Sequence, residues 1–461
     1  MRQKQQAGVR DECVGCGVRW GCAPLTHKKA ARSVFTCNML QCIRSCKEKA
    51  KRGRASLPAE YELLIIRFQK RVRGGEQEGE PGHPSRALRG VRYHLGCTRT
   101  QSLLHFTRAT GSQSGIVIIM EALVFDGKTL TLKYDPKYPM PQLVNDDDVI
   151  VKVEYSGVCG TDLHIIQGEF PASKERPLPL GHEFSGTVHE VGKAAIFKKG
   201  QKVVVDPNRA CALCSFCRAG NYQYCLTAGI NSTVGIWRDG GWARYVRVPQ
   251  DQVYALPPQI TTEQAGLCEP YSCVSHGFDR ASPLPVGSKI LIVGAGIIGN
   301  LWVTTLHHHG HRDVTVSEMN TARLDIVKKL DTGFRLVTPD VLAAEKELYD
   351  VIIDCTGVGK VMEISFNYLR HGGKYVLFGC CPPAHQASMN PYQIYDKELT
   401  IIGVKINPFS FPKAIGWLQA MGSRYLDYEK LGVQTFKLSE YEQALQHLKA
   451  GTISKAIFKI D

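Results

Sequence analysis

Residues 289–300 read KILIVGAGIIGN. The apolar run 290–293 suits a short buried strand, and the apolar residues after Gly296 open a helix. Between them Gly294, Gly296 and Gly299 stand as G-x-G-x-x-G. The first glycine permits a tight turn, the second lets a backbone approach a pyrophosphate, and the third allows close helix–strand packing. Ile297 and Ile298 fill the two positions before the last glycine, where the helix N-terminus offers N–H donors to an anion. The next strand ends at Glu318 in VTVSEMN, 24 residues after Gly294. A carboxylate there can bind both hydroxyls of an adenosine ribose and repels a 2′-phosphate, which favours NAD over NADP. Arg323, five residues on, can stack on the adenine or pair with Glu318.

Outward from this loop the pattern repeats. DVTVSE, YDVIIDCTG, GGKYVLFG and LTIIGVK are short apolar strands separated by helix-length amphipathic segments. That alternation predicts a parallel doubly wound sheet, an α/β fold. Before residue 286, DDVIVKVEYSGV and QKVVVDP are β-branched strands bounded by turn residues, which predicts a β-rich domain. After about residue 408 a helix in SEYEQALQHLKAG and a strand in KAIFKID close the chain. The apolar segment 289–306 reads as buried soluble core, because spaced glycines and a strand-then-helix pattern do not suit a membrane span.

Two groups of metal-ligand residues precede the glycine loop. CALCSFCRAGNYQYC (211–225) places Cys211, Cys214, Cys217 and Cys225 at C-x2-C-x2-C-x7-C. Four thiolates at such spacing can enclose one ion tetrahedrally with no open position, the arrangement of a structural zinc. Upstream, GVCGTDLH (157–164) and PLPLGHEFSG (177–186) bring Cys159, His182 and Glu183. LCEPYSC (267–273) adds Glu269, with Cys268 one residue before it. A thiolate, an imidazole and a carboxylate with room for water make an open, Lewis-acidic site. The seventeen cysteines come without an apolar signal segment, which points to a reducing, cytoplasmic compartment.

In this order CGTDLH, GHEFSG, the four-cysteine loop, CEP, GAGIIG and LFG resemble the zinc-dependent medium-chain alcohol and polyol dehydrogenases, over residues 120–461. The resemblance implies a GroES-like catalytic domain with a structural zinc lobe at 120–270. It implies a Rossmann NAD-binding domain at 271–408, with 409–461 returning to the catalytic domain and the active site in the cleft between them. By the same resemblance Cys159 and His182 bind the catalytic zinc, and Glu183 is a ligand or exchanges with water. The strand end Leu377, Phe378 and Gly379 joins the glycine loop in holding the cofactor. Thr161 takes the substrate proton and His164 relays it to solvent, while hydride passes from carbon to the nicotinamide.

Simple alcohol dehydrogenases have a cysteine where this chain has Glu269, and sorbitol- and threonine-type members have Glu-Pro there, as Glu269-Pro270. The substrate expected is therefore a polyol (arabinitol, xylitol or sorbitol), with L-threonine or butanediol as the alternative. Ile165 stands where sorbitol-type members often carry an aromatic residue. For a hydroxy amino acid a cation must meet the carboxylate, and Lys405 is one candidate. A non-catalytic NAD(P)-binding relative is a further alternative. The resemblance also implies a homodimer or homotetramer.

Residues 1–119 differ from the rest. They hold 22 Lys and Arg against 8 Asp and Glu, so the whole net charge of +14 lies there and the remainder is neutral. The body thus gives no bulk electrostatic case for nucleic acid. The segment lacks core-forming periodicity beyond a possible helix at 60–72, which predicts disorder. Its cysteines at 13, 16, 22, 37, 42 and 46 fit no paired C-x2-C module. Regular patterning starts abruptly at MEALVFDG, so Met120 reads as the natural start, with the preceding residues an extension of the predicted gene.

Overall fold

The computed structural model describes residues 118–227, 232–345 and 348–461. The expectations made for the basic segment, disorder and a helix at 60–72, lie outside the described residues. Among the described residues eight strands come before the parallel sheet: β1 (Ile119–Asp126), β2 (Thr131–Pro139), β3 (Asp148–Gly157), β4 (Leu178–Pro179), β5 (Phe184–Val191), β6 (Lys202–Val205), β7 (Tyr245–Pro249) and β8 (Val253–Ala255). Six parallel strands follow: β9 (Ile290–Val293), β10 (Val314–Ser317), β11 (Arg335–Val337), β12 (Tyr349–Asp354), β13 (Leu369–Leu377) and β14 (Thr400–Gly403). Two more, β15 (Val433–Phe436) and β16 (Lys455–Lys459), end the chain.

β9–β14 form one parallel sheet in the order β11-β10-β9-β12-β13-β14. Numbered from β9, that is 3-2-1-4-5-6, the doubly wound order whose switch point lies at the C-terminal end of the first strand. The glycine loop sits at that end. β9 is buried along its whole length, as a strand covered on both faces must be. β11, three residues long, escaped the sequence reading because it is too short to show a period.

The second sheet is mixed, in the order β15-β16-β3-β5-β6-β8, with β7 also pairing β3. β16 runs antiparallel to β3, with Ile457 opposite Gly157. The end of the chain thus lies beside the first turn of the metal-ligand region. A smaller sheet, β2-β1-β4, flanks it.

Five helices matter for the site: α1 (Gly160–Ile166), α2 (Cys268–Ala281), α3 (Ile297–His308), α4 (Thr321–Lys329) and α5 (Phe411–Tyr425). α2 passes from the mixed sheet to the parallel one and packs its apolar face on α3 and α5. α5 corrects the expectation that one helix and one strand complete the chain. Pro412 in its first turn is compatible with a helix start, but Gly416 and Gly422 dilute the periodic signal, and Gly422 breaks the helix at φ 54°. Packing of Phe411, Ala414, Leu418 and Met421 in the core outweighs those weak propensities. Among the described residues no helix is long and apolar enough to cross a membrane.

Candidate active site

The turn after β3 and the turn before β5 meet at one point. Cys159 ends the first turn in extended conformation and leads into α1. Its N–H donates to Asp162 Oδ2 at 2.9 Å, a carboxylate in the first helical turn closing back on the residue before the helix. In the second turn Gly181 adopts φ +92°, and an added Cβ there would lie 2.3 Å from the Trp242 ring. Glycine is needed at 181 on both counts, and His182 follows from it. His182 Nδ1 lies 3.3 Å from Asp162 Oδ1, and both side chains are buried. One carboxylate therefore holds the backbone of Cys159 and stands against the Nδ1 edge of the His182 imidazole, as the outer partner of a ligating histidine does.

Glu183 comes next in the chain and forms a buried ion pair with Lys455 of β16. The same ammonium donates to the Val158 carbonyl at 3.2 Å. An added Cβ on Gly157 would lie 2.2 Å from Glu183 Oε2, so that glycine makes room for the carboxylate. The ligand atoms of Cys159, His182 and Glu183 all fall within 4.8 Å of one another. A tetrahedral zinc with bonds of about 2.0–2.3 Å spaces its ligands roughly 3.3–3.8 Å apart, so this donor set fits such an ion. The local charge agrees. Burial opposes the imidazolium of His182, yet Asp162 and Cys159 raise its pKa well above the ordinary value. Burial also opposes the ammonium of Lys455, and Glu183, Cys159 and Glu269 raise it nonetheless. The pocket favours cations.

Glu269 lies in the first turn of α2 and is buried. Burial and the charge of Glu183 push its carboxyl up to about 7, against the pull of His182 and Lys455. The Cys273 thiol, one helical turn on, donates to Glu269 Oε1 at 3.5 Å. Cys268 points elsewhere, into the core with Leu267 and Tyr271, and is not among the clustered ligands. Thr161 and His164 stand three residues apart on α1, spacing that puts them on one face. His164 Nδ1 pairs with Glu169 Oε2 at 2.7 Å and is partly exposed. Asp162, Glu169, Cys273 and Lys455 escaped the sequence reading. Only Asp162 left a local trace there, an acidic residue three positions after Cys159.

The four-cysteine loop closes on itself. Cys211 and Cys217 sulfurs are 3.7 Å apart, Cys214 and Cys217 3.4 Å, and all four with Cys225 lie within 4.8 Å. These separations match the edge of a tetrahedral thiolate site. The Cys214 N–H donates to Cys211 Sγ at 3.4 Å. It and the Leu213 N–H hold the Cys211 thiol below its ordinary pKa.

At the glycine loop, Gly294 has φ +96°. Space around a Cβ on Gly296 is open, and one on Gly299 would lie 2.0 Å from the Gly294 carbonyl oxygen. The three glycines thus meet the turn, approach and packing demands of a dinucleotide loop. Ile297 and Ile298 start α3 and pack against the core. Glu318 follows β10. Its Oε2 accepts the Ala295 N–H and its Oε1 the Asn320 N–H, both at 2.9 Å. Arg323 Nη1 stands 3.9 Å from Glu318 Oε2. Leu377 ends β13, and Phe378 sets its ring edge-on to Trp302. Gly379 passes so near Gly357 that a Cβ would lie 2.2 Å from its nitrogen. Lys405 is exposed.

Residues 145–258 match the alcohol dehydrogenase GroES-like domain family, and residues 298–420 the zinc-binding dehydrogenase family. D-arabinitol dehydrogenase 1 of Uromyces fabae is 31% identical over 328 residues, 69% of this chain and 91% of that one. An L-threonine 3-dehydrogenase of Anaeromyxobacter sp. (strain K) is 29% identical over 354 residues, 73% of this chain and 98% of that one. A putative zinc-binding dehydrogenase from Sinorhizobium meliloti 1021, solved bound to NADP, superposes with a TM-score of 0.68 at 29% identity. That match covers 74% of this chain and all of the other. With the parallel sheet, the glycine loop and two sets of zinc-compatible donors, this makes the chain an oxidoreductase that uses zinc and NAD(P), a member of the zinc-dependent medium-chain alcohol and polyol dehydrogenases.

Proposed function

We propose that this enzyme oxidises a secondary hydroxyl of a polyol of the arabinitol, xylitol or sorbitol class, with NAD as acceptor. The observation that carries the reading is Glu269, a buried carboxylate under the influence of Glu183, His182 and Lys455. A carboxylate at this place accepts hydrogen bonds from the further hydroxyls of a polyol, which a simple alcohol lacks. Cys159 and His182 hold the catalytic zinc, with Glu183 as the third donor or exchanging with water. Cys211, Cys214, Cys217 and Cys225 hold a second, structural zinc. Bound zinc supplies the Lewis acidity that makes a substrate hydroxyl acidic, and bound NAD supplies the hydride acceptor.

The chain's own groups do the rest. The Thr161 hydroxyl takes the substrate proton as it gives its own outward, and His164, partly exposed on the same helix with Glu169 against its ring, relays that proton to solvent by way of the nicotinamide ribose. The glycine loop and the strand end at Leu377, Phe378 and Gly379 hold the cofactor. Glu318 binds the adenosine-ribose diol and disfavours a 2′-phosphate. The enzyme works in the cytoplasm as a homodimer or homotetramer, without nucleic acid or membrane.

A second reading, oxidation of L-threonine or butanediol, is favoured by the threonine dehydrogenase relative. The test is NADH formation by the zinc-loaded protein on arabinitol, xylitol, sorbitol, butanediol and L-threonine, with and without a chelator. Chelator-sensitive turnover of the polyols alone supports the first reading. Turnover confined to L-threonine or butanediol replaces it with the second.

A further inference from the structure

Between the four-cysteine loop and α2 lies a buried chain of polar groups that the catalytic reading leaves unused. Tyr222, inside the cysteine loop, directs its hydroxyl to Asp206 Oδ2 at 3.3 Å and to the Asn407 carbonyl at 3.4 Å. Asn407 is fully buried in the turn between β14 and α5. Its Oδ1 accepts Asn208 Nδ2 at 2.8 Å, and its Nδ2 donates to Ser272 Oγ at 2.8 Å and to Asp206 Oδ1 at 3.5 Å. Ser272 Oγ in turn donates to the backbone carbonyl of Glu269 at 2.6 Å. Buried polar groups so connected specify one arrangement, because any shift leaves a donor or acceptor without a partner.

The turn carrying Asn407 is itself strained. Ile406 and Phe409, neither of them glycine, adopt φ 47° and 54°. A β-branched residue persists there only where its surroundings hold it. The Tyr222 ring meets that of Phe409 edge-on, with centroids 4.8 Å apart. The turn is thus gripped from the cysteine-loop side and linked to α2 on the other.

We propose that Tyr222 and Asn407 are positioning residues that carry the order of the four-cysteine loop to the first turn of α2 and so set where the Glu269 carboxylate stands. In these terms the loop shapes substrate selection, although none of its cysteines belongs to the catalytic donor set. The link to selection rests on the reading of Glu269 as the group that meets the polyol. The coupling itself rests on the hydrogen-bond chain alone.

The test uses the zinc-loaded full chain with Tyr222→Phe, which keeps the ring and removes the hydroxyl, and Ser272→Ala, which cuts the chain at its other end. Amide hydrogen exchange is followed at residues 268–273 and 405–410, with metal content measured alongside. Expected for Y222F is unchanged metal content, faster exchange in both segments, and a KM for the accepted substrate raised about 2–10-fold with kcat held. Expected for S272A is the same shift in KM, and the double variant adds little to either single one, as members of one chain must. Faster exchange confined to residues 211–225, or fully additive effects, overturns the coupling. Altered exchange at 268–273 with the KM of both Y222F and Glu269→Gln unchanged upholds the coupling and removes the polyol role of Glu269 instead.

Discussion

The two oxygens of one buried carboxylate face two of the proposed zinc donors: Asp162 Oδ1 lies 3.3 Å from His182 Nδ1, and Oδ2 accepts the Cys159 N–H at 2.9 Å. Asp162→Asn keeps the size but replaces one acceptor by a donor, so either the imidazole or the Cys159 amide loses its partner. Such orienting groups are typically worth 10–100-fold in metal affinity. Chelator competition is expected to show a loss of about that size, with the far-ultraviolet circular dichroism unchanged.

Lys455 is the counter-charge of a buried glutamate. Replacing it by Met leaves Glu183 unpaired, a change that costs on the order of 3–5 kcal/mol in comparable buried pairs. The urea midpoint of K455M is expected to fall accordingly. The double variant K455M/E183Q, which removes both charges, is expected to recover a large part of that loss.

Asp206 gives a pH dependence of defined sign. Its carboxyl is pushed up to about 7, first by burial and then by the charge of Glu269, against the Asn208 N–H and the Tyr222 and Asn407 side chains. The ordinary value is 3.8. Between these values the folded protein keeps a proton that the unfolded chain has lost. This group therefore removes stability as pH rises from about 4 to about 7. Asp206→Asn mimics the protonated form. Its stability relative to wild type is expected to rise across that window, by at most on the order of 4 kcal/mol. Urea titrations at several pH values check it, and a constant difference would count against the assignment.

Glu318 is expected to set the cofactor preference. Glu318→Ala removes the ribose acceptor and the charge that repels a 2′-phosphate. A hydrogen bond to a charged group contributes about 1.5–3 kcal/mol, so kcat/KM for NAD should fall roughly 10–150-fold. The value for NADP should fall much less. Because Glu318 also accepts the Ala295 N–H, a loss shared equally by both cofactors would mean that its main task is to hold the loop.

The parallel sheet was legible because its signals are local. Gly294, Gly296 and Gly299 are spaced by backbone demands that glycine alone meets, and the strands around them are short apolar runs. The four-cysteine set was legible for the same reason, since cysteines a few residues apart must share a loop, whereas Cys159 stands far from His182 and Glu183 in sequence and was joined to them through the family resemblance. Lys455 was not legible, since only the pairing of β16 with β3 brings it to Glu183. Asn407 was hidden likewise, one asparagine among many until the fold buries it against Ser272 and Asn208. α5 was obscured by its glycines, which tertiary packing overrides.

The placement of Lys455 also bears on the order of synthesis. It and Val158, whose carbonyl it contacts, are 297 residues apart in sequence. A growing chain therefore exposes Cys159, His182 and Glu183 to the cell long before β16 leaves the ribosome to close their sheet and neutralise Glu183. Until then Glu183 lacks the ammonium that pairs with it in the finished fold. A ribosome stalled before residue 455 would hold a protein whose parallel sheet is whole while its mixed sheet still lacks its last strand.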